Sequence, residues 1–180
     1  MDNENKSCGI CHVVIKDVEF LIDQDYQKFI TAMDTLQKTM PDDNGADHIC
    51  CHFYAYCLLP GCAHLLMREK DWNVAKCVEF LLNAMEDDIT PDYLVEPCDN
   101  PERFLELFAF IHQIPKKEGM CEMMRDYEWS SWGNEYLRLG AECVCRVSAV
   151  VRRFGFGKLI DVVGTPLPET VDVLDYVPCC

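Results

Sequence analysis

The chain has 180 residues, room for one domain with its own core, and its 49% apolar and 26% charged residues are those of a globular protein and not of a disordered one. Its net charge of −15 argues against adhesion to nucleic acid or to anionic membrane, because phosphate contacts need a basic face. No window reaches the ~18 apolar residues of a membrane span, and the polar, acidic stretch Met1–Asn5 is unlike a secretory signal. The expected location is the cytoplasm, with the nucleus open to a chain of this size.

Taken in order, Ile10, Val14, Val18, Leu21 and Ile22 fall at helical steps, which predicts a helix over 10–22; its β-branched content leaves a strand open. Residues 24–39 form a cleaner helix with Tyr26, Phe29, Ile30, Met33 and Leu36 as its stripe and Asp23 or Asp25 as cap. Pro41–Gly45 reads as a loop that lacks the glycine and glutamate spacing of a calcium loop. A helix with an aromatic side (Phe53, Tyr54, Tyr56) is expected over 47–58, broken by Pro60-Gly61, with a short helix at 62–69. Residues 73–86 are the best amphipathic helix, with Val74, Cys77, Val78, Leu81, Leu82 and Met85 on one face and Asn73 or Asp71 to cap it.

The stretch 87–100 is a long connection with Pro91 and Pro97, part of it packed through Tyr93, Leu94 and Val95. Asn100-Pro101-Glu102 is a strong helix start: asparagine caps, proline loses nothing at the first turn, and glutamate suits the positive end. The helix 101–113 is apolar on all sides, which places it in the middle of the core, and Pro115 is expected to end it. A short helix over 118–127 and a long one over 134–154, stopped by Gly155 and Gly157, follow. The pieces 158–163 and 169–175 are helix or strand, with Val171, Val173 and Tyr176 suited to a short edge strand. No repeat is present. The expectation is an all-α bundle around helix 101–113: one domain over 1–164 and an acidic tail over 165–180.

Thirteen cysteines, an odd number, read mostly as reduced core filler, for example Cys57, Cys77, Cys121 and Cys143. A second pattern concerns metal. Cys8 and Cys11 form a Cys-x-x-Cys followed by His12, and His48, Cys50, Cys51, His52, Cys57, Cys62 and His64 come later. A structural zinc held by Cys8, Cys11, Cys50 and His52 is therefore one expectation, and no cofactor at all is the other. The final Cys179-Cys180 resembles the prenylation signal of Rab-type small GTPases; without that modification no membrane contact is expected.

Catalytic signatures are missing: no nucleophile elbow, no zinc-protease motif, no dinucleotide loop. His52 or His64 with a nearby thiol would make a Cys/His pair, and His112 on the apolar helix reads as a core histidine. The chain is expected to be no enzyme, though thiol chemistry stays open. Binding residues are better marked. Trp129 and Trp132 flank two serines before a helix, either as an aromatic lip or as a staple tucked into the core. The span 134–164 is +2 while the rest is −17, so Arg138 and Arg146 belong either to a solvated face or to a docking strip for an acidic partner.

The apolar central helix, together with Trp132-Gly133-Asn134 before an amphipathic helix, resembles the Bcl-2-like proteins, including viral members, with Asn134 where that family carries arginine and no later tryptophan. The resemblance implies capture of a partner's amphipathic helix in an apolar groove. Three functional expectations result. The first is a non-catalytic helical domain that binds a protein partner, and no nucleic acid, at Trp129, Trp132, Arg138 and Arg146. The second is a zinc-stabilised helical domain with ligands from 8–12 and 48–64. The third is a groove protein of the Bcl-2-like kind.

Overall fold

The computed structural model describes residues 9–38, 40, 41, 45–85, 90–138 and 143–168. Its centre is a four-stranded antiparallel sheet, which corrects the all-α expectation. The strands are β1 (Ile10–Lys16), β4 (Cys51–Leu59), β5 (Cys62–Glu69) and β6 (Tyr93–Cys98), in the order β4-β5-β1-β6. Two short strands, β2 (Met40–Pro41) and β3 (Asp47–His48), pair separately. The helices are α1 (Asp23–Gln37), α2 (Val74–Ala84), α3 (Pro101–Lys117), α4 (Val147–Phe154) and α5 (Phe156–Gly164).

The misread segments share one cause. Residues four apart lie on one face of a helix, but four is an even number, so they also lie on one face of a strand. Ile10 and Val14 satisfy both patterns, and Val13, Val14 and Ile15 are stiff β-branched residues that favour the pleat. Pairing on both sides, with β5 and with β6, settles β1 as a central strand. The predicted helices 47–58 and 62–69 are the two arms of a hairpin: Pro60-Gly61 is its turn, with Leu59 opposite Cys62, and the Phe20 amide donates to the Pro60 carbonyl at 3.1 Å. Most positions of both arms are buried, so neither shows the alternation that marks a half-solvated strand.

The three helices with strong stripes and caps form as expected. Asn73 accepts from the Lys76 amide at 3.0 Å and Asn100 from the Arg103 amide at 2.8 Å. Asp25 works from inside the first turn of α1, accepting from the Leu21 and Ile22 amides. Pro115 does not end α3, which runs on to Lys117; it sits in the last turn, where its missing N–H removes a single bond. The single helix over 134–154 is instead a π-turn at Trp132–Tyr136, then a break, then α4. The helix over 118–127 shrinks to a 3-10 turn at Met124–Asp126. The connection 87–100 contains β6, and 158–163 lies within α5. The suggested strand at 169–175 lies outside the described residues. No described helix is long and apolar enough to cross a membrane.

Alternation along β1 divides the core. Cys11 faces Cys51 and Cys77 on the side of α1 and α2, whereas His12 faces Phe110 on the side of α3. The outer edge of β4 is closed by the segment after α3. Leu58 donates to the Trp129 carbonyl at 2.9 Å, Tyr56 to Ser131 Oγ at 3.0 Å, and the Arg146 amide to the Phe53 carbonyl at 2.8 Å. Tyr127 and Tyr136 donate their hydroxyls to the Leu58 and Tyr54 carbonyls at 2.7 and 2.5 Å. An otherwise open sheet edge is thereby satisfied.

Candidate nucleic-acid interface and buried histidine pair

The α3 face of the sheet carries a polar chain through its middle. His12 Nε2 lies 3.1 Å from His64 Nδ1, with rings 5.3 Å apart and 21° from parallel. The other nitrogen of His12, Nδ1, is 3.6 Å from Glu96 Oε2, too long for a hydrogen bond but close enough for attraction. Arg103 donates to Glu96 Oε1 through Nε at 2.9 Å and through its second guanidinium nitrogen, and to Glu106 at 2.9 Å. The register explains the meeting: His12 stands opposite Glu96 on β6 and diagonal to His64 on β5.

Burial holds both imidazoles neutral. It lowers His12, against the pull of Glu96, and lowers His64 well below the ordinary value, with His12 adding to the effect. Burial works to raise Glu96, but its attraction to His12 and its bonds to Arg103 outweigh that and keep the carboxyl ionised. With the His12 proton on Nδ1, the side of the Glu96 carboxylate, His12 Nε2 accepts from His64 Nδ1 and His64 Nε2 keeps its lone pair. The chain Arg103–Glu96–His12–His64 thus presents a neutral nitrogen base. Against both imidazoles stands Phe110 of α3, edge-on at 6.0 and 5.9 Å, a ring without a hydroxyl.

Along the same face of β5, His64, Leu66 and Arg68 alternate outward to a basic cluster. His52 stands opposite Arg68. Burial, then Arg146, Lys70 and Arg68, push His52 down to about 4, so three cations converge on a neutral ring. Lys70 and Arg146 are exposed and Arg68 is half-buried. Arg152 and Arg153, both exposed, lie further along α4, about 10 Å from Arg146 at 1.5 Å per residue.

A second buried network is structural. Ser131 Oγ is 2.7 Å from His112 Nε2 and accepts from Tyr56; both Ser131 and His112 are fully buried, and burial pushes His112 down to about 3. Glu135 accepts from the Val144 and Cys145 amides at 3.1 and 2.7 Å and ties the break before α4 to the π-turn. Gly133 has no room for a side chain, since a Cβ there would come within 2.3 Å of the Arg125 carbonyl oxygen.

The residues marked from sequence are dispersed. Trp132 is buried, and Trp129 is half-buried and stacks on Tyr26 at 4.4 Å, so the two rings form no lip. Arg138 is exposed at the end of the π-turn, and Arg146 alone joins the cation cluster. Cys8 lies outside the described residues. Cys11 and Cys50 are buried near Cys77, and burial raises their thiols to about 12 and about 11. His52 faces the cations instead, and among the described residues no three His, Cys, Asp or Glu side chains gather as metal ligands. Sequence reasoning placed His12 and His64 in a candidate metal cluster and missed their pairing, and it missed Glu96, Arg103, Arg68 and Lys70, because nothing local announces a contact between strands.

No family model matches the sequence, and no curated protein matches it. One solved structure does: that of a REP-associated tyrosine transposase bound to a REP hairpin, with a TM-score of 0.59 and 15% identity, over 76% of this chain and 84% of that one. The chain shares that protein's fold. The likeness removes the helical readings, the Bcl-2-like one among them, since the shared architecture is a sheet with helices. It also stands against the expectations of a protein-interaction domain, of no enzyme and of no nucleic-acid partner, since the similar protein is a transposase and is bound to a hairpin. Net charge by itself does not describe such a surface. It is a sum over the chain, whereas phosphate binding depends on the local field, and Arg68, Lys70 and Arg146 are collected at one place.

Proposed function

We propose that this chain binds nucleic acid in hairpin form, with Arg68, Lys70 and Arg146 as the centre of the contact and Arg152 and Arg153 as its extension. The observation that carries the reading is the gathering of Arg68, opposite His52 on the neighbouring strand, with Lys70 and Arg146, whose amides bond to the Cys50 and Phe53 carbonyls on either side of that histidine, on a fold that in a similar protein holds a REP hairpin. Arginine suits phosphate through its planar fork, and lysine as a point charge. Three to five phosphate contacts imply a steep salt dependence: from 50 to 200 mM salt the affinity should fall roughly 40- to 500-fold. The test is fluorescence anisotropy of a labelled DNA hairpin with the full chain, against Lys70→Glu, Arg146→Glu and the double variant. Both residues are exposed, so the variants should fold. Loss of binding in the double variant, with a shallower salt slope in each single one, is expected. Unchanged binding would sink the reading.

A second reading, phosphodiester cleavage or transfer on the bound strand, is favoured by the Arg103–Glu96–His12–His64 chain. There the free nitrogen of His64 takes the proton of an attacking hydroxyl as the new P–O bond forms, while the strand's own P–O bond breaks and its departing oxygen takes a proton from water. Since the ring on the pair is Phe110, that hydroxyl comes from a group other than an aromatic side chain at this position. Nicking of a labelled hairpin in magnesium or manganese buffer, abolished in His64→Gln, is the expected result; no cleavage by the unaltered chain on any hairpin that it binds would refute it.

A further inference from the structure

His52 stands where the cations meet, and one of its ring nitrogens has nothing to bond. Its side chain shares a face with Arg68, directly opposite on β5. The backbone brings the other two cations alongside: the Lys70 amide donates to the Cys50 carbonyl at 3.2 Å and the Arg146 amide to the Phe53 carbonyl at 2.8 Å, on either side of the histidine. The ring is half-buried, and its Nδ1 is shut off from solvent with no hydrogen-bond partner among the described residues. With no acceptor beside Nδ1, the ring proton belongs on Nε2. Burial, then Arg146, Lys70 and Arg68, keeps the ring neutral. Carboxylates of the same elements are engaged elsewhere. Glu69 accepts from the Val74 amide at 2.8 Å, Asp71 from the Ile49 amide at 2.9 Å, and Glu135 from the Val144 and Cys145 amides.

We propose that His52 is a further phosphate-contacting residue, its Nε2–H donating to an oxygen of a phosphate held by Arg68, Lys70 and Arg146. The inference rests on the nucleic-acid reading above and adds a contact of a different kind to it. Three cations and one N–H donor, with Glu69, Asp71 and Glu135 turned to amides, match an anion in charge and in hydrogen bonding. Another cation at this position would add repulsion to the unbound site. A neutral imidazole supplies a directional donor without that repulsion, and the charges that hold the phosphate are the ones that keep the ring uncharged. An uncharged donor releases no counterion, so its share of the affinity does not vary with salt.

The experiment measures binding of a labelled DNA hairpin to the full chain by anisotropy across a salt series. His52→Leu keeps the bulk and removes the donor. It should weaken binding about 5- to 50-fold, the worth of one hydrogen bond to a charged group, with the salt slope unchanged. His52→Gln keeps an N–H at similar reach and should bind within about 2-fold of the parent. On the unaltered chain, adding the hairpin should move the ring-proton NMR signals of His52, assigned by their absence in His52→Gln. Should the leucine variant melt early, that shift decides alone. His52→Leu binding as tightly as the parent, His52→Gln binding as weakly as His52→Leu, or ring signals that stay in place each overturns the histidine contact and leaves the Arg68–Lys70–Arg146 contact standing. Binding of no hairpin at all overturns both.

Discussion

His12 and His64 stand on neighbouring strands two residues out of register and still meet, Nε2 to Nδ1 at 3.1 Å, with Phe110 edge-on to both rings. Glu96 faces the far nitrogen of His12 at 3.6 Å and is itself held by Arg103. A buried polar chain of this kind is stable when every member has its partner and costly when one is removed.

Glu96→Gln should therefore destabilise the fold by about 2 kcal/mol, since it removes the charge that Arg103 and His12 both face in a mostly buried setting. Chemical denaturation in urea measures this. A change under about 0.5 kcal/mol would mean that the carboxylate orients nothing.

Stability should fall as the solution is made acidic from pH 6.5. His112 is pushed down to about 3 by burial, from an ordinary value of 6.5, and His12 and His64 are lowered by the same cause. Above pH 6.5 the imidazoles are neutral in both folded and unfolded chains, and their contribution is constant. Below it the unfolded chain takes protons that the folded one refuses, so His112 alone removes about 1.4 kcal/mol per pH unit until its folded value is reached. Glu135, raised by burial, works the other way, one carboxyl against four imidazoles once His52 is included. Thermal melts at pH 7.5 and 5.0 should show a clearly lower Tm at 5.0; equal values would contradict the assignment of neutral buried imidazoles.

Gly133→Ala should cost about 2–4 kcal/mol, because its Cβ would press on the Arg125 carbonyl, and backbone cannot yield as a flexible side chain does. Gly157→Ala is the control: nothing lies within 4 Å of its Cβ, and as the second residue of α5 it should change stability little or gain slightly from the better helix former. Melting temperatures of the two variants compare the effects directly, and a Gly133→Ala protein as stable as the parent would remove the close approach from the account.

What the sequence by itself determined is the set of elements written in local chemistry. Asn73 and Asn100 cap their helices because a side-chain oxygen three residues ahead of an orphan amide needs no tertiary help. The stripes of α1 and α2 and the greasy length of α3 were readable for the same reason, and so was the burial of His112. Tertiary structure alone decided the rest. Ile10 and Val14 fit a helix and a strand equally, and only β5 and β6 on either side resolve them. The tryptophans went inward because the edge of β4 needed the backbone and the serine between them. The histidine pair and the cation cluster have no sequence signature at all: His12 and His64 are 52 residues apart, and Arg146 reaches His52 from beyond two helices. Strand register is a long-range choice that fixes which side chains face each other, and here it assembled the candidate site from residues that are unremarkable one by one.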